Sequence, residues 1–434
     1  GELEALIDQI LTEHSSSCRR VKALLTHVSN RQVTVGFGIG VARAAGFLTG
    51  AVVARALGPD RFAAYAVAFV VFSSLVPLTS FADTWMISRW GERDHQAIGR
   101  TVWAIKLSTM GVLLTLSLLL GLAWPELPAR LGIDGGLLSM AVLASGTAAL
   151  TTSAASWYQA HQNFKGYAIL IAAPPFMALA VAALLRALGA SDPLLYTAAL
   201  AVSYAPTTGL AYHFLARVQP SAPGDAHLTR EALAFGGWVT VGSLAFVVFQ
   251  RVDMFLLASA APSGEVGIYG AASRLSMVGG LFGSTLTAVM MPKGSRQVTW
   301  TKQATRRAYI RESVVTVLLM TSALVVMIAT AGPLTLLVFG KAYASAVPYS
   351  RILLLAQILL IAQMPFYFAM YALGGGRWIA GLGVLQAVIA IGAGYSLIER
   401  YGASGAAWSN VVTYAVGAIG VVAFHLTAAR WRPA

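Results

Sequence analysis

The chain is poor in charge, nearly without cysteine, and lacks any phosphate-loop signature. Only 11% of its 434 residues are charged, against roughly 25% in soluble domains. With 57% hydrophobic residues and a mean hydropathy of +0.70, a water-soluble fold of this length could not hide its apolar faces. The single cysteine, Cys18, excludes an intrachain disulfide framework and a cysteine metal cluster. The seven histidines are scattered, no two with metal-ligand spacing on one helix, so no metal site is expected. No GxxxxGKS or GxxxxGKT string occurs, which excludes ATP hydrolysis through a phosphate loop. Ten-residue stretches of alternating hydrophobicity are missing as well, which argues against an outer-membrane barrel.

What the chain does have is a series of apolar runs of about 20 residues, the length that crosses a bilayer as a helix. Twelve are expected, near 33–55, 62–82, 101–123, 137–157, 167–186, 194–216, 232–259, 265–291, 311–331, 348–372, 377–398 and 404–427. Breaker clusters separate several of them, such as LGPD at 57–60, WPELP at 124–128 and QPSAPGD at 219–225. The expected fold class is therefore an all-α polytopic membrane protein. Residues 1–32 differ: Leu3, Leu6, Ile7, Ile10 and Leu11 form an apolar stripe at helical spacing, and a basic stretch follows the Ser15–Ser17 linker. They predict an amphipathic lead-in on the membrane surface. They are not read as a signal peptide, because they open acidic and lack a continuous apolar core.

Charge placement predicts orientation. With the N-terminus inside, nineteen Lys and Arg fall in inner segments and six in outer ones. That asymmetry puts both termini in the cytoplasm. It also absorbs the net charge of +13, so no nucleic-acid partner is implied.

The junction ARALGPDRFAAYAVA (54–68) resembles ASAAPSGEVGIYGAA (258–272), aligning Tyr65 with Tyr269 at an offset of 204 residues. Two parallel repeats of six spans follow from this, related by an axis along the membrane normal. The domain reading is a lead-in 1–32, an N-lobe 33–216, a linker 217–231, a C-lobe 232–428 and a tail 429–434.

Ionisable residues inside the spans are the sharpest signal. Arg43, Arg251 and Arg274 lie well within apolar segments, where an arginine costs about 2.5–3.5 kcal/mol on insertion scales. Such residues need a wet cavity or an anionic partner. Three of them suggest a cationic chamber, and so an anionic cargo. For Arg43, among Gly36, Gly38, Gly40, Gly46 and Gly50, the alternatives are a place on the cavity wall and a buried ion pair. Arg251 and Asp253 are two residues apart, about 200° around a helix, so they are expected neither to pair nor to face one cavity together: one should face the chamber and the other a neighbouring helix. Pairing of Asp253 with Arg274 between helices stands as an alternative to a ligand role for both. Asp83, Lys106 and Arg351 read as interface residues that snorkel. Trp85, Trp90, Trp103, Trp300 and Trp378 read as an aromatic belt. Sugar stacking could fall to Tyr65, Tyr158, Tyr269 or Tyr371, a choice that spacing alone does not make.

Four strings then carry a family resemblance: FLTGAVVARALGPDRFAAYAVAF (47–69), RVDMFLLASAAPSGEVGIYGAASRL (251–275), VFGKAYASAVPYSRILLLA (338–356) and YGASGAAWSNVVTY (401–414). In this order they resemble the polysaccharide transporter family, oligosaccharide or O-antigen flippases of the superfamily that includes the MATE exporters. The resemblance covers most of 33–427 but not the lead-in. It implies a V-shaped pair of six-helix bundles around a central cavity. It also implies movement of an undecaprenyl-diphosphate-linked oligosaccharide from the inner to the outer leaflet of a bacterial cytoplasmic membrane, alongside other polysaccharide-assembly proteins. Arg43, Arg251 and Arg274 would meet the diphosphate, Tyr65 and Tyr269 the sugars, and Asp253 could serve coupling. No cofactor is implied; the membrane potential, protons or sodium could drive transport. Two rivals remain: a MATE-like cation-coupled drug antiporter, which would need buried acids, and a membrane-embedded glycan polymerase or ligase, which would need a larger outer domain.

Overall fold

In hydrocarbon a backbone N–H or C=O finds no water, so an apolar run must bond within itself and becomes a helix. The computed structural model follows that rule. It describes residues 30–78, 80–89, 95–216, 226–295, 300 and 303–430, and no strand is present among them. The lead-in stripe, Cys18, Trp90, residues 217–225 of the expected linker and residues 431–434 of the expected tail lie outside the described residues. The helices are α1 (Asn30–Leu78), α2 (Phe81–Arg89), α3 (His95–Ala123), α4 (Glu126–Arg130), α5 (Gly135–Ala160), α6 (Phe164–Ala187), α7 (Pro193–Ala216), α8 (Ala226–Ala260), α9 (Ser263–Gly294), α10 (Gln303–Ala329), α11 (Ala331–Phe339), α12 (Ala346–Ala372) and α13 (Gly376–Arg430).

Seven helical stretches among the described residues are long and apolar enough to cross a membrane, which makes this a multi-pass membrane protein. Two of them, Gly38–Ser88 and Gly376–Thr427, run 51 and 52 residues and double back. Gly58 (φ 69°) breaks α1, and Gly402 (φ 55°) breaks α13. Both need the left-handed region that glycine enters without steric cost. Pro59 then starts the second arm of α1, where its missing N–H is harmless. Arg274 touches both arms, at Gly50 and at Phe69, as a hairpin about residue 58 requires. With each doubled stretch holding two passes, and with α7, α8 and α9, all twelve expected passes are present as helices.

Packing ties α1 to α5, α6 and α7, and ties α12 and α13 to α8, α9 and α10. Between these two sets the main contact is α1 with α9. A methyl group on Gly264 would stand 2.8 Å from Asp60 Oδ1, and one on Gly270 would stand 2.8 Å from Ala66 Cβ. Each glycine thus meets the residue 204 places before it.

Two contacts between the sets bracket the molecule. At the Gly58 end, Tyr343 donates to Ala54 O at 2.8 Å and packs edge-on against Phe62. Burial, with the charge of Asp60 acting in the same direction, holds the Tyr343 phenol above its ordinary range, so the hydroxyl remains a donor. There too the Glu265 carboxylate accepts from Ala403 N–H at 2.6 Å and caps the second arm of α13. At the opposite end, Phe81 and Trp85 of α2 cluster with Leu228 and Ala232 of α8.

Three sequence expectations are corrected here. Asp83 and Lys106 do not snorkel. Lys106 is 1% exposed and its ammonium donates to Asp83 Oδ2 at 2.6 Å and to Ala149 O at 2.8 Å. Ser153 donates to Asp83 Oδ1 at 2.7 Å. The reason is packing: α3 lies against α2 and α5, which bring Asp83 and Ala149 to the ammonium and Ser153 to Asp83. Trp85 is wholly buried and Trp300 nearly so, the latter donating to Gly294 O at 2.8 Å; both are core residues, not belt residues.

Candidate functional site: a cationic cavity

Helical spacing builds one wall of the site. On α9, Ser273, Met277, Gly280 and Ser284 recur every three or four residues and share a face, with Arg274 at its edge. The first arm of α1 adds Arg43, Gly46 and Phe47; its second arm adds Phe69 and Ser73. Gln250, Arg251 and Asp253 come from α8, Gln357 and Met364 from α12, and Asn410 and Tyr414 from the second arm of α13. Together they enclose a cavity of about 940 Å³, at the upper end of the range of roughly 300–1,000 Å³ for ligand pockets.

All three expected arginines line this cavity, and Asp253 is its one acid among the described residues. Arg43 is exposed and donates from Nη1 to Gly280 O at 2.7 Å, across the seam between α1 and α9. Arg251 is partly buried on the cavity wall. Arg274 is 4% exposed and lies flat on Phe69, its guanidinium carbon 3.4 Å from the ring centroid. The Tyr65 ring is 5.7 Å away. Arg274 Nη2 is buried without a well-formed hydrogen bond, and the Tyr65 phenol is the polar group it interacts with.

Asp253 is occupied. Tyr269 donates its hydroxyl to Asp253 Oδ2, and Asn410 Nδ2 donates to the same oxygen at 2.8 Å. The alternative of an Asp253–Arg274 pair is not what the structure shows: Asp253 Oδ2 is taken by Tyr269 and Asn410, and Arg274 lies on Phe69 beside Tyr65. The expectation that Arg251 and Asp253 cannot both face one cavity fails too, since both line it. The cavity wraps round α8, between α9 on one side and α13 on the other, so one helix lends it two faces.

Tyr65 and Tyr269 are the remaining correction. They are 1% and 0% exposed and absent from the lining, so neither presents a ring to a sugar. They are the supports of the charged wall instead, Tyr65 beside Arg274 and Tyr269 beneath Asp253. Of the other tyrosines considered, Tyr371 is exposed but outside the cavity. Sequence reasoning missed Asn410, Tyr414 and Phe69. Asn410 and Tyr414 carried a usable signal, two polar groups four apart on one face of an apolar span; Phe69 carried none.

Helix order, hairpins and cavity define a MATE-like transporter fold. The structure is similar to an inward-facing multidrug resistance MATE family transporter, with a TM-score of 0.76 at 15% identity over 93% of this chain and 99% of that one. It is similar to the lipid II flippase MurJ in an inward closed conformation, with a TM-score of 0.72 at 13% identity over 91% and 87%. An outward-facing MATE transporter matches with a TM-score of 0.59 at 15% identity over 92% and 94%. Among curated proteins none matches the sequence. The polysaccharide biosynthesis protein family matches residues 33–298, and this chain belongs to that family.

Proposed function

We propose that the protein is a flippase that carries a polyprenyl-diphosphate-linked oligosaccharide from the inner to the outer leaflet of a bacterial cytoplasmic membrane. Both termini are then cytoplasmic and the Gly58 end faces outward. The observation that carries the reading is the gathering of three guanidinium groups on one cavity wall with a single, already occupied, carboxylate. A diphosphate headgroup crossing hydrocarbon unaided would leave polar groups unsatisfied at several kcal/mol each. Arginine stays charged and offers a planar fork of donors that fits phosphate oxygens. The polyprenyl tail needs no site, since it can stay in lipid while the headgroup crosses.

The lobes 33–216 and 232–428, joined through 217–231, would rock about the α1–α9 contact to open the cavity to one side and then the other. An inside-negative potential favours outward movement of negative charge by about 2.3 kcal/mol per charge per 100 mV. Proton or sodium coupling through Asp253 is the alternative drive. The chain acts as a transporter rather than an enzyme in this reading and hands its cargo to other polysaccharide-assembly proteins.

The test is headgroup accessibility in proteoliposomes containing an undecaprenyl-diphosphate oligosaccharide. Losing one charge-assisted contact worth about 1.5–3 kcal/mol lowers flipping roughly 10- to 100-fold. That loss is expected in Arg43→Ala and in Arg251→Ala. Wild-type rates in both variants, or transport of a cationic dye with no effect on the glycan lipid, would remove the reading.

A further inference from the structure

The three arginines do not converge on one point. Arg43 reaches Gly280 on α9, whereas Arg274 reaches Gly50 on α1, where an added methyl group would stand 3.3 Å from its Cδ, Nε and Nη1. The two helices run antiparallel, so each measures the same gap independently. From Arg43 to Gly50 is seven residues and from Arg274 to Gly280 six, about 10 Å and 9 Å at 1.5 Å per residue. Side chains lean toward the N-terminus of their own helix, which tilts these two further apart. One phosphate group can contact one guanidinium or the other, not both.

The two positions also differ in construction. Arg43 is exposed at the α1–α9 seam, with one nitrogen held by a carbonyl. Arg274 is buried and stacked on Phe69 beside Tyr65, and a methyl group on residue 50 would press on it at 3.3 Å. Arg251 belongs to the second level: it lies nine residues from the Gly58-end terminus of α8, as Arg274 lies eleven from that of α9.

We infer that the cavity holds a diphosphate at two successive stations, a capture station at Arg43 and a deeper station at Arg274 and Arg251, with Phe69 and Gly50 as positioning residues of the second. The ligand class rests on the function proposed above; the two stations rest on geometry. The diphosphate would pass from the seam to the buried fork in the course of one crossing.

The test is titration of the purified full-length protein with inorganic pyrophosphate by calorimetry. Wild type is expected to bind in two phases, with Arg43→Ala removing one and Arg274→Ala the other. Arg274→Lys covers the case in which the alanine variant does not fold, and should keep the second phase at weaker affinity. Phe69→Leu is expected to weaken the second phase about 30-fold, in line with loss of a desolvated cation–π contact worth about 2 kcal/mol. It should leave the first phase untouched, and Phe69→Tyr should restore the second. A single phase in wild type, or one phase weakened equally by Arg43→Ala and Arg274→Ala, overturns the two stations. A parallel titration in nanodiscs asks whether undecaprenyl diphosphate displaces pyrophosphate. Displacement from both phases supports a lipid headgroup as the occupant. No displacement leaves the stations standing and overturns the flippase reading.

Discussion

Two regions of this protein bury positive charge in the membrane, and they solve the problem in opposite ways. Lys106 is sealed among α2, α3 and α5 with a carboxylate, a carbonyl and a serine-supported geometry around it. Arg274 is sealed to nearly the same degree but meets an aromatic face and an open cavity. The first cluster has no capacity left for a ligand. The second relies on an aromatic face and a neighbouring phenol in place of an anion. A charge at bilayer depth can be met either way, and the sequence alone does not say which.

The largest effect that separates the regions is expected at the paired lysine. Lys106→Met strands Asp83 in the interior, and losing one partner of a buried pair costs about 3–5 kcal/mol. The double variant Lys106→Met with Asp83→Leu should recover much of that loss, because an apolar pair removes the uncompensated charge. Thermal unfolding in detergent reads both; a double variant no better than the single one would break the distinction. In the cavity the pattern should invert. Arg251→Ala should lower flipping about 10- to 100-fold, the loss expected of one charge-assisted contact, while its unfolding temperature stays at or above that of wild type. A stability loss matching that of Lys106→Met would show the arginine to be structural.

Smaller effects sharpen the boundary between the two. Tyr269→Phe removes one of two side-chain donors to Asp253 and should destabilise by about 1.5–3 kcal/mol, the range for a hydrogen bond to a charged group. Denaturation of that variant beside Asn410→Ala tests whether the two donors share the load. The smallest change is expected at Lys293–Glu312, whose side chains are 44% and 38% exposed. Surface pairs of this kind are worth about 0–1 kcal/mol and are screened by salt. Glu312→Gln should therefore be near neutral, and neutral altogether at high ionic strength.

Much of the architecture could be read without coordinates because it follows from solvent and period. Apolar length set the number of passes, and the turn string LGPD at 57–60 placed the break at Gly58; the break at Gly402 falls in the gap expected between the last two spans. The three arginines were legible for the same reason, since hydrocarbon makes each of them costly. Their surroundings were not. The packing of α2 and α5 against α3 turned Lys106 from an expected interface residue into a buried one. A cavity wrapped round α8 put Arg251 and Asp253 on the same chamber despite their opposed directions.

The amino-acid sequence by itself determined that this is a helical membrane protein with cationic groups at depth, since transfer energies act on each segment alone. Which guanidinium is stacked on an aromatic face, which tyrosine props it, and how far apart the cations stand were decided only when α1 and α9 came together. Those are distances between residues more than two hundred positions apart, and no local period encodes them.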